Sequence, residues 1–585
     1  MATEAQALLR RARDEFAAGR LAASRELCDE LLGREPDHAE GLHLLALLEF
    51  SAGNATAALG PIERALGKDP NDARKHQTRG LILRAQARRG EAAAAFQEAV
   101  RLSAQFPEAH GSLGLTRMEE GEFAQAARHL ERALALRPGV YAWCLNLGLC
   151  RMHLGDCAGA AEAFRDAVQS NERMPEAHNN LGIAVLGSGR LAEAEASFRR
   201  CIALAPEHSH AWTNLGNVLR RTGRAREAEE SYRRATQCRP ALAPAWVNLG
   251  NALKEGDRLD EAMECFARAL EITPDLAEAH LSRAIARLHV GDLERGWEEY
   301  RWRLGPAAAH VSRAGVEEAI GSRRPIEIRG EQGLGDALFY LRWAPALHAA
   351  GAALSFRGDR RLFPLLERTG LFEALVADEA PAGDALGLAA GDLPGVVGHR
   401  APAHPPALPL TPSPVALEAA RSLLRSAGPP PYVAVAWRAG LPSEGGSEHL
   451  HKMVPLEAMG AAVRQVPGTI VSVQREPRDA ELADLARLVA RPVADAGRVN
   501  DDLDGVLGLL AVLDEYAGVS STNVHLRAGA GRHCRILVPL PPEWRYGRAG
   551  SRSPWFADST LYRERREGGW AEAMDALALD LGAAS

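Results

Sequence analysis

Lysine is nearly missing from this chain. Of 69 basic residues only Lys68, Lys75, Lys254 and Lys452 are lysines, so arginine carries almost all the positive charge. An excess of positive charge is missing too. Set against 76 acidic residues, the basic ones leave a net charge of −7, which excludes the basic footprint of a nucleic-acid binder. No apolar run approaches the roughly 18 residues that a membrane-spanning helix needs. The opening MATEAQALLRRARDEF has amphipathic helical spacing and lacks the apolar core of a secretion signal, so a cytoplasmic location is expected. Cysteines are few, and none stands in CxxC spacing. Reduced, buried thiols are expected rather than disulfides or a metal site. Several catalytic signatures are also absent. No GxGxxG follows the first strand of the second half, and no phosphate-loop GxxxxGK[ST] or GxSxG nucleophile elbow occurs. His449 and His451 form an HLH pair without a third ligand at zinc spacing, so no metal and no resident cofactor are expected.

What is present in the first half is a period. Gly80, Gly114, Gly148, Gly182, Gly216 and Gly250 stand 34 residues apart, and Ala12, Ala46 and Ala284 occupy the same slot at the ends. Around Gly182 lie Leu181, Ala194, Phe198 and Pro206; the next units match with Leu215, Ala228, Tyr232 and Pro240, then Leu249, Ala262, Phe266 and Pro274. Small residues where two helices cross, an aromatic beside them and a proline that ends each unit describe stacked helical hairpins of tetratricopeptide type. About nine units are expected over residues 1–304. Pro107 and Pro175 come three residues late, which predicts a local change of turn and not a break in the array.

One slot carries polar chemistry. Asn146, Asn180, Asn214 and Asn248 lie two residues before the glycine, and Asn217 and Asn251 lie one after it. Amides on the inner helix of each hairpin suit the backbone of an extended peptide, because each offers donors and an acceptor. Capping or bridging of neighbouring helices is the structural alternative. The run from NNLGIAVLGSGRLAEAEASFRRCIALAP to WVNLGNALKEGDRLDEAMECFARALEITPD closely resembles the repeats of O-GlcNAc transferase. That resemblance implies that the matching asparagines hold acceptor polypeptide.

The period ends near Trp302, and residues 305–325 read as a connector. Beyond it, strand-like runs at Ile326–Arg329, Leu354–Arg357, Tyr432–Trp437, Thr469–Val473, Tyr516–Val519 and Ile536–Pro539 alternate with helical stretches near 336–350, 360–369, 456–466, 478–490, 503–513 and 522–530. Such alternation predicts parallel sheets covered by helices. The proline-dense Gly398–Pro414 predicts a link between two Rossmann-like lobes, 326–425 and 426–585. Parallel sheets bind ligands beyond the carboxyl ends of their strands, and the chemically suggestive residues fall there. Asp336 follows the first strand within GEQGLGD, with Gly335 before it. Arg438 follows VAVAW, Gln474 and Arg475 follow TIVSV, Ser520, Ser521, Thr522, Asn523 and His525 follow EYAGV, and RILVPL leads to Pro541-Pro542-Glu543-Trp544-Arg545. Asp336 is either a helix cap or a general base; hydroxyls and free N–H groups at Ser520–Thr522 form an anion site or simply a cap. Arg438, Lys452 and Arg475 supply cations for a phosphate, the compact ammonium of Lys452 suiting a single oxygen. Trp437, Trp544 and Trp555 read as packing residues.

RGEQGLGDALFYLRWAPALHAAG resembles the opening of heptosyltransferase-like GT-B enzymes, and YVAVAWRAG, HKMVPLEAM, VSVQREP, GVSSTNVHLRAGAG and PPEWRYGRAGSRSPWF resemble their nucleotide-sugar lobe. The branch most similar is fused to tetratricopeptide repeats and includes flagellin glycosyltransferases. One departure is visible: where the family carries Asp-Thr, this chain has Ser521-Thr522-Asn523. The resemblance implies an α-solenoid followed by a GT-B domain whose first lobe takes the acceptor and whose second takes a nucleotide-sugar. It implies a metal-independent glycosyltransferase with Asp336 as base, acting on Ser or Thr of a protein such as flagellin. A non-catalytic scaffold with a degenerate sugar-nucleotide fold, or a transferase acting on lipid or polysaccharide, are the alternatives.

Overall fold

The computed structural model describes residues 2–305, 311–331, 333–379, 384–439, 452–477 and 480–583. The chain divides into two compact units, Met1–Pro240 and Ala241–Ser585.

The first unit is built from seven antiparallel helix pairs, from Ala2–Ala17 with Leu21–Arg34 to Ser209–Arg221 with Ala225–Cys238. After the first pair, every hairpin joins a 13-residue helix to a 14-residue helix, which is the sequence period made visible. The glycine slot is a packing requirement. A Cβ built on Gly148 or Gly182 lies 2.5 Å from a ring carbon of Phe164 or Phe198, closer than real contacts allow. Where Gly114 meets Leu130 in place of an aromatic, the built Cβ still comes within 2.8 Å. Pro107 and Pro175 each open a helix at its first turn, where proline forfeits no hydrogen bond, and the hairpins continue without interruption.

A second periodic slot pins the turns between hairpins. Ring nitrogens of His76, His110, His178 and Trp212 meet the carbonyls of Pro70, Ala104, Glu172 and Pro206 at 2.8, 3.3, 2.9 and 2.8 Å. Elsewhere in the unit, the wholly buried Lys75 places its ammonium 2.7–2.8 Å from Glu40, Asp69 and Asp72. These carboxylates are the one acidic group at metal-holding spacing among the described residues, and lysine fills it. All eight cysteines are unpaired, and six are buried, where desolvation lifts the thiol of Cys150 to about 11.

The second unit begins with two further hairpins, Ala243–Glu255 with Leu259–Ile272 and Ala277–Val290 with Leu293–Tyr300. Two wholly parallel sheets follow. The first comprises β1 (Ile326–Arg329), β2 (Leu354–Gly358), β3 (Ala374–Ala377) and β4 (Leu386–Ala389) in the order β3-β2-β1-β4. The second comprises β5 (Tyr432–Ala436), β6 (Thr469–Ser472), β7 (Val493–Asp495), β8 (Glu515–Val519), β9 (Cys534–Val538) and β10 (Ser559–Arg563), ordered β10-β9-β8-β5-β6-β7. Strand order therefore reverses at β1 in one sheet and between β5 and β8 in the other, and crevices open at such switch points. Residues 401–413, within the proline-dense stretch, are irregular; Ser413 then caps the helix Pro414–Ala427 by accepting from Ala416 N at 3.1 Å.

An aromatic cluster joins these parts. Trp297 of the last hairpin meets Trp544 edge-on at 5.3 Å, and Phe339 meets Trp544 at 5.5 Å and Trp555 at 5.3 Å. Trp437, also buried, packs under β5. Arg342 is buried among these rings and donates to the carbonyls of Phe339, Pro405 and Trp555 at 2.9, 3.1 and 2.8 Å. With burial and the nearby Arg545 both opposing its charge, its pKa falls to about 9.

The glycine slot is testable by contrast. Gly182→Ala drives a methyl into Phe198 and is expected to lower stability by about 1–3 kcal/mol. Gly67→Ala, in a helix with open space around it, should instead raise it by up to about 1 kcal/mol. Urea unfolding followed by circular dichroism measures both; equal effects would contradict the packing account.

Candidate functional site

The turn after β1 is braced from several sides. Gly330 N donates to Arg357 O at 2.7 Å, and a Cβ there would crowd Phe356. The next residue, Glu331, accepts from Gly391 N at 2.7 Å and pairs with the buried Arg303, which also reaches Asp392 at 2.6 Å. Gln332 of the same motif lies outside the described residues, as do Gly440, His449 and His451. The helix Leu334–Tyr340 then begins, with Asp336 in its first turn. Gly335 marks a close approach: a Cβ there would lie 3.3 Å from the His525 ring and 3.5 Å from Thr522 Cα. A larger residue would push the turn away from the helix Thr522–Gly529.

Asp336 accepts a hydrogen bond from Arg545, a residue to which sequence reasoning gave no role. Arg545 is buried, stacked 4.5 Å from the Phe339 ring centre and 5.3 Å from that of Trp544. Its other terminal nitrogen is 3.5 Å from Glu543, whose second oxygen is 2.7 Å from Lys452 Nζ. Burial opposes Arg545's charge, but Asp336, Tyr340 and Glu543 outweigh it and raise its pKa.

Beyond β5, Trp437 N and Arg438 N both donate to Gln474 Oε1, at 3.2 and 3.0 Å. The Gln474 amide thus shapes the Arg438 turn, and its Nε2 donates to Arg475 O at 3.2 Å. The Arg438 guanidinium reaches Glu476 O at 2.9 Å and Glu481 at 3.1 Å. An antiparallel pairing of 437–439 with 452–454 delivers Lys452 to the same end of the sheet. After β8, Ser520 accepts from the Tyr546 hydroxyl at 2.7 Å, and Ser521 stands at the N-cap of the helix Thr522–Gly529 without a side-chain cap bond. His525 is buried and its Nδ1 has no partner among the described residues. Burial foremost, with Arg545, Arg342 and Lys452 beside it, drives its pKa well below the ordinary imidazole value, so the ring is neutral.

These residues converge. Gly335, Asp336, Arg438, Lys452, Gln474, Arg475, Ser520, Ser521, Thr522, Asn523 and His525 all line one cavity of about 290 Å³. Arg361, Asn500 and Arg545 are further polar residues of its lining. A helix N-terminus, several cations and a carboxylate facing one void can bind an anion and accept a proton beside it.

The repeat asparagines are less uniform. In the first unit, Asn214 Nδ2 donates to Asn179 Oδ1 at 3.2 Å, and Asn179 to Asn180 at 3.4 Å. Asn146 turns back to Ala142 O at 2.6 Å, and Asn217 accepts from the Tyr232 hydroxyl at 2.7 Å. Asn146 also borders a cavity of about 520 Å³ walled by Phe50, Leu81, Arg84, Leu115 and Met118. In the second unit, Asn248 and Asn251 lie on Ala243–Glu255, and Asn251 Oδ1 is buried without a partner among the described residues.

Comparison with known proteins agrees with the repeat architecture. A family model described as the C-terminal domain of cilia and flagella-associated protein 70 matches residues 43–288, and a tetratricopeptide-repeat model matches 9–73. Protein FlbA of Caulobacter vibrioides is 25% identical over 330 residues, covering 51% of this chain. The chain spans about half of that relative, 54% of its length. Among solved structures, YrrB, titled a TPR protein with an unusual peptide-binding site, is 22% identical with a TM-score of 0.31, covering 32% of this chain and 95% of its own. A tetratricopeptide repeat protein from Parabacteroides merdae is 17% identical with a TM-score of 0.32, covering 42% and 98%. Among the described residues, no helix is long and apolar enough to cross a membrane. The first 290 or so residues are a tetratricopeptide-type α-solenoid, and parallel sheets with helices follow them.

Proposed function

We propose that the second unit is a metal-independent glycosyltransferase of GT-B type, with lobes at 326–425 and 426–585, moving a sugar from a nucleotide-sugar to Ser or Thr of a polypeptide. Asp336 Oδ2 takes the proton of the acceptor hydroxyl as that oxygen attacks the anomeric carbon. Arg438, Lys452, Arg475 and the N–H groups opening Thr522–Gly529 stabilise the phosphate that leaves. Gln474 holds the Arg438 turn, and Gly335 lets the base and the phosphate site approach. Neutral His525 offers a hydrogen bond to the donor without adding charge. The repeats recruit the acceptor through Asn146, Asn180, Asn214, Asn217, Asn248 and Asn251, and flagellin is the acceptor proposed first, on the resemblance of the sequence blocks. The observation that carries the reading is the convergence of residues following β1, β5, β6 and β8 on one cavity.

Intact-mass analysis of flagellin tests it. Cells expressing the native chain should yield flagellin heavier by whole sugar residues than cells expressing Asp336→Asn. Equal masses, with both proteins folded, would remove Asp336 from the mechanism. The state of His525 is separately checkable. Its ring resonances in the full chain should not titrate between about pH 8 and 5.5, since the shift is downward from the ordinary value near 6.5. A midpoint near 6.5 would mean an imidazole unperturbed by burial and its cationic neighbours, and a different electrostatic site.

A further inference from the structure

Three of the cations lining the cavity already hold an anion of the chain itself. Lys452 holds Glu543 at 2.7 Å, Arg545 holds Asp336, and Arg438 holds Glu481 at 3.1 Å. A phosphate entering beside these three therefore meets occupied partners. The first two pairs are joined, because Glu543 Oε2 also lies 3.5 Å from Arg545. The four side chains form one alternating row: Asp336, Arg545, Glu543, Lys452.

The members of this row differ in freedom. Arg545 is wedged between Phe339 and Trp544 and buried, so its guanidinium is fixed. Apart from its two cations, Glu543 is anchored through its backbone, where its carbonyl accepts from Tyr546 N at 3.0 Å. Its carboxylate bridges two cations and can pivot between them, whereas Asp336 and Glu543 compete for one guanidinium. We propose that Glu543 is a resident stand-in for the donor phosphate, and that phosphate binding at Lys452 releases it onto Arg545, which in turn loosens Arg545's hold on Asp336. The donor thereby arms the base that will use it. This rests on the anion-binding reading of the cavity above. It adds an order of events: donor first, acceptor second. The exchange needs no change of covalent bonding, since one carboxylate leaves the ammonium as a phosphate oxygen takes its place. Coupling of this kind is reciprocal, so a change at Asp336 must also be felt at Lys452.

Calorimetric titration of the full chain with inorganic pyrophosphate tests the exchange without knowledge of the sugar. Glu543→Gln is expected to tighten pyrophosphate by up to about fivefold, the scale of one partly exposed ion pair. That gain should vanish in the Lys452→Met background. Asp336→Asn should also tighten pyrophosphate, because Arg545 then draws Glu543 away from Lys452, and that gain should vanish once Glu543 is Gln. Glu543→Asp, which keeps the charge but is too short to span both cations, guards against a folding defect and should bind tighter than the native chain. Unchanged or weakened binding in Glu543→Gln and Glu543→Asp, or strictly additive effects, would overturn the exchange while leaving an anion pocket in place. No binding by the native chain or any variant would overturn the anion pocket, and the exchange with it.

Discussion

A buried guanidinium holding one carboxylate is the constraint on which the pocket depends. Arg545 arrives from the segment after β9 and Asp336 from the turn after β1, so their contact fixes the ends of two separate sheets against each other. Neither charge is easily left alone there: a buried cation without its partner is costly, and removing one member of such a pair destabilises more than the pair stabilises. Arg303 braces the same turn from behind through Glu331 and Asp392, tying the end of the last hairpin to the start of the first sheet. Phe339 and Trp544, packed with Trp297 and Trp555, then back the Arg545 guanidinium. Strand-end chemistry in this unit is thus positioned by charge pairs and stiffened by rings.

Much of this was legible from residue order. The 34-residue glycine slot foretold the hairpins because a Cβ at Gly148 or Gly182 has no room beside its aromatic partner. β1, β2, β5, β6, β8 and β9 stand where alternating apolar runs placed them, within two residues at either end. β3, β4 and β7 were not legible: ALVA, LGLA and VAD are too short and too rich in alanine and glycine to carry a strand pattern. β10, reading STLYR, is an edge strand paired only with β9 and alternates too weakly to stand out. The helix Pro414–Ala427 hid behind the prolines that precede it, although Pro414 is its first-turn residue.

At the candidate site, spacing identified which residues would gather but not how they would be used. Gln474 read as a ligand contact, yet its amide oxygen is spent on the backbone of Trp437 and Arg438. Arg545 stood among the strand-end residues after RILVPL, but its role was not legible because its partner Asp336 lies 209 residues away in sequence. Periodicity likewise picked out the asparagines but not the tyrosine hydroxyl that occupies Asn217, a contact available only because Tyr232 stands where most neighbouring units have phenylalanine. The repeated imidazole and indole donors at His76, His110, His178 and Trp212 were in plain view at the same period. Their meaning depended on a carbonyl six residues back, which no composition pattern announces.

The central claim is that one cavity between the strand ends receives a nucleotide-linked sugar. Hydrogen–deuterium exchange of the full chain, with and without millimolar UDP-, GDP-, ADP- and CMP-sugars, addresses it most directly. The account predicts that at least one of these slows exchange together at the turn after β1, at the Arg438 and Gln474 turns, and at the start of the helix Thr522–Gly529. Exchange unchanged at all of those places with every nucleotide-sugar, or protection confined to the helical repeats, would contradict it.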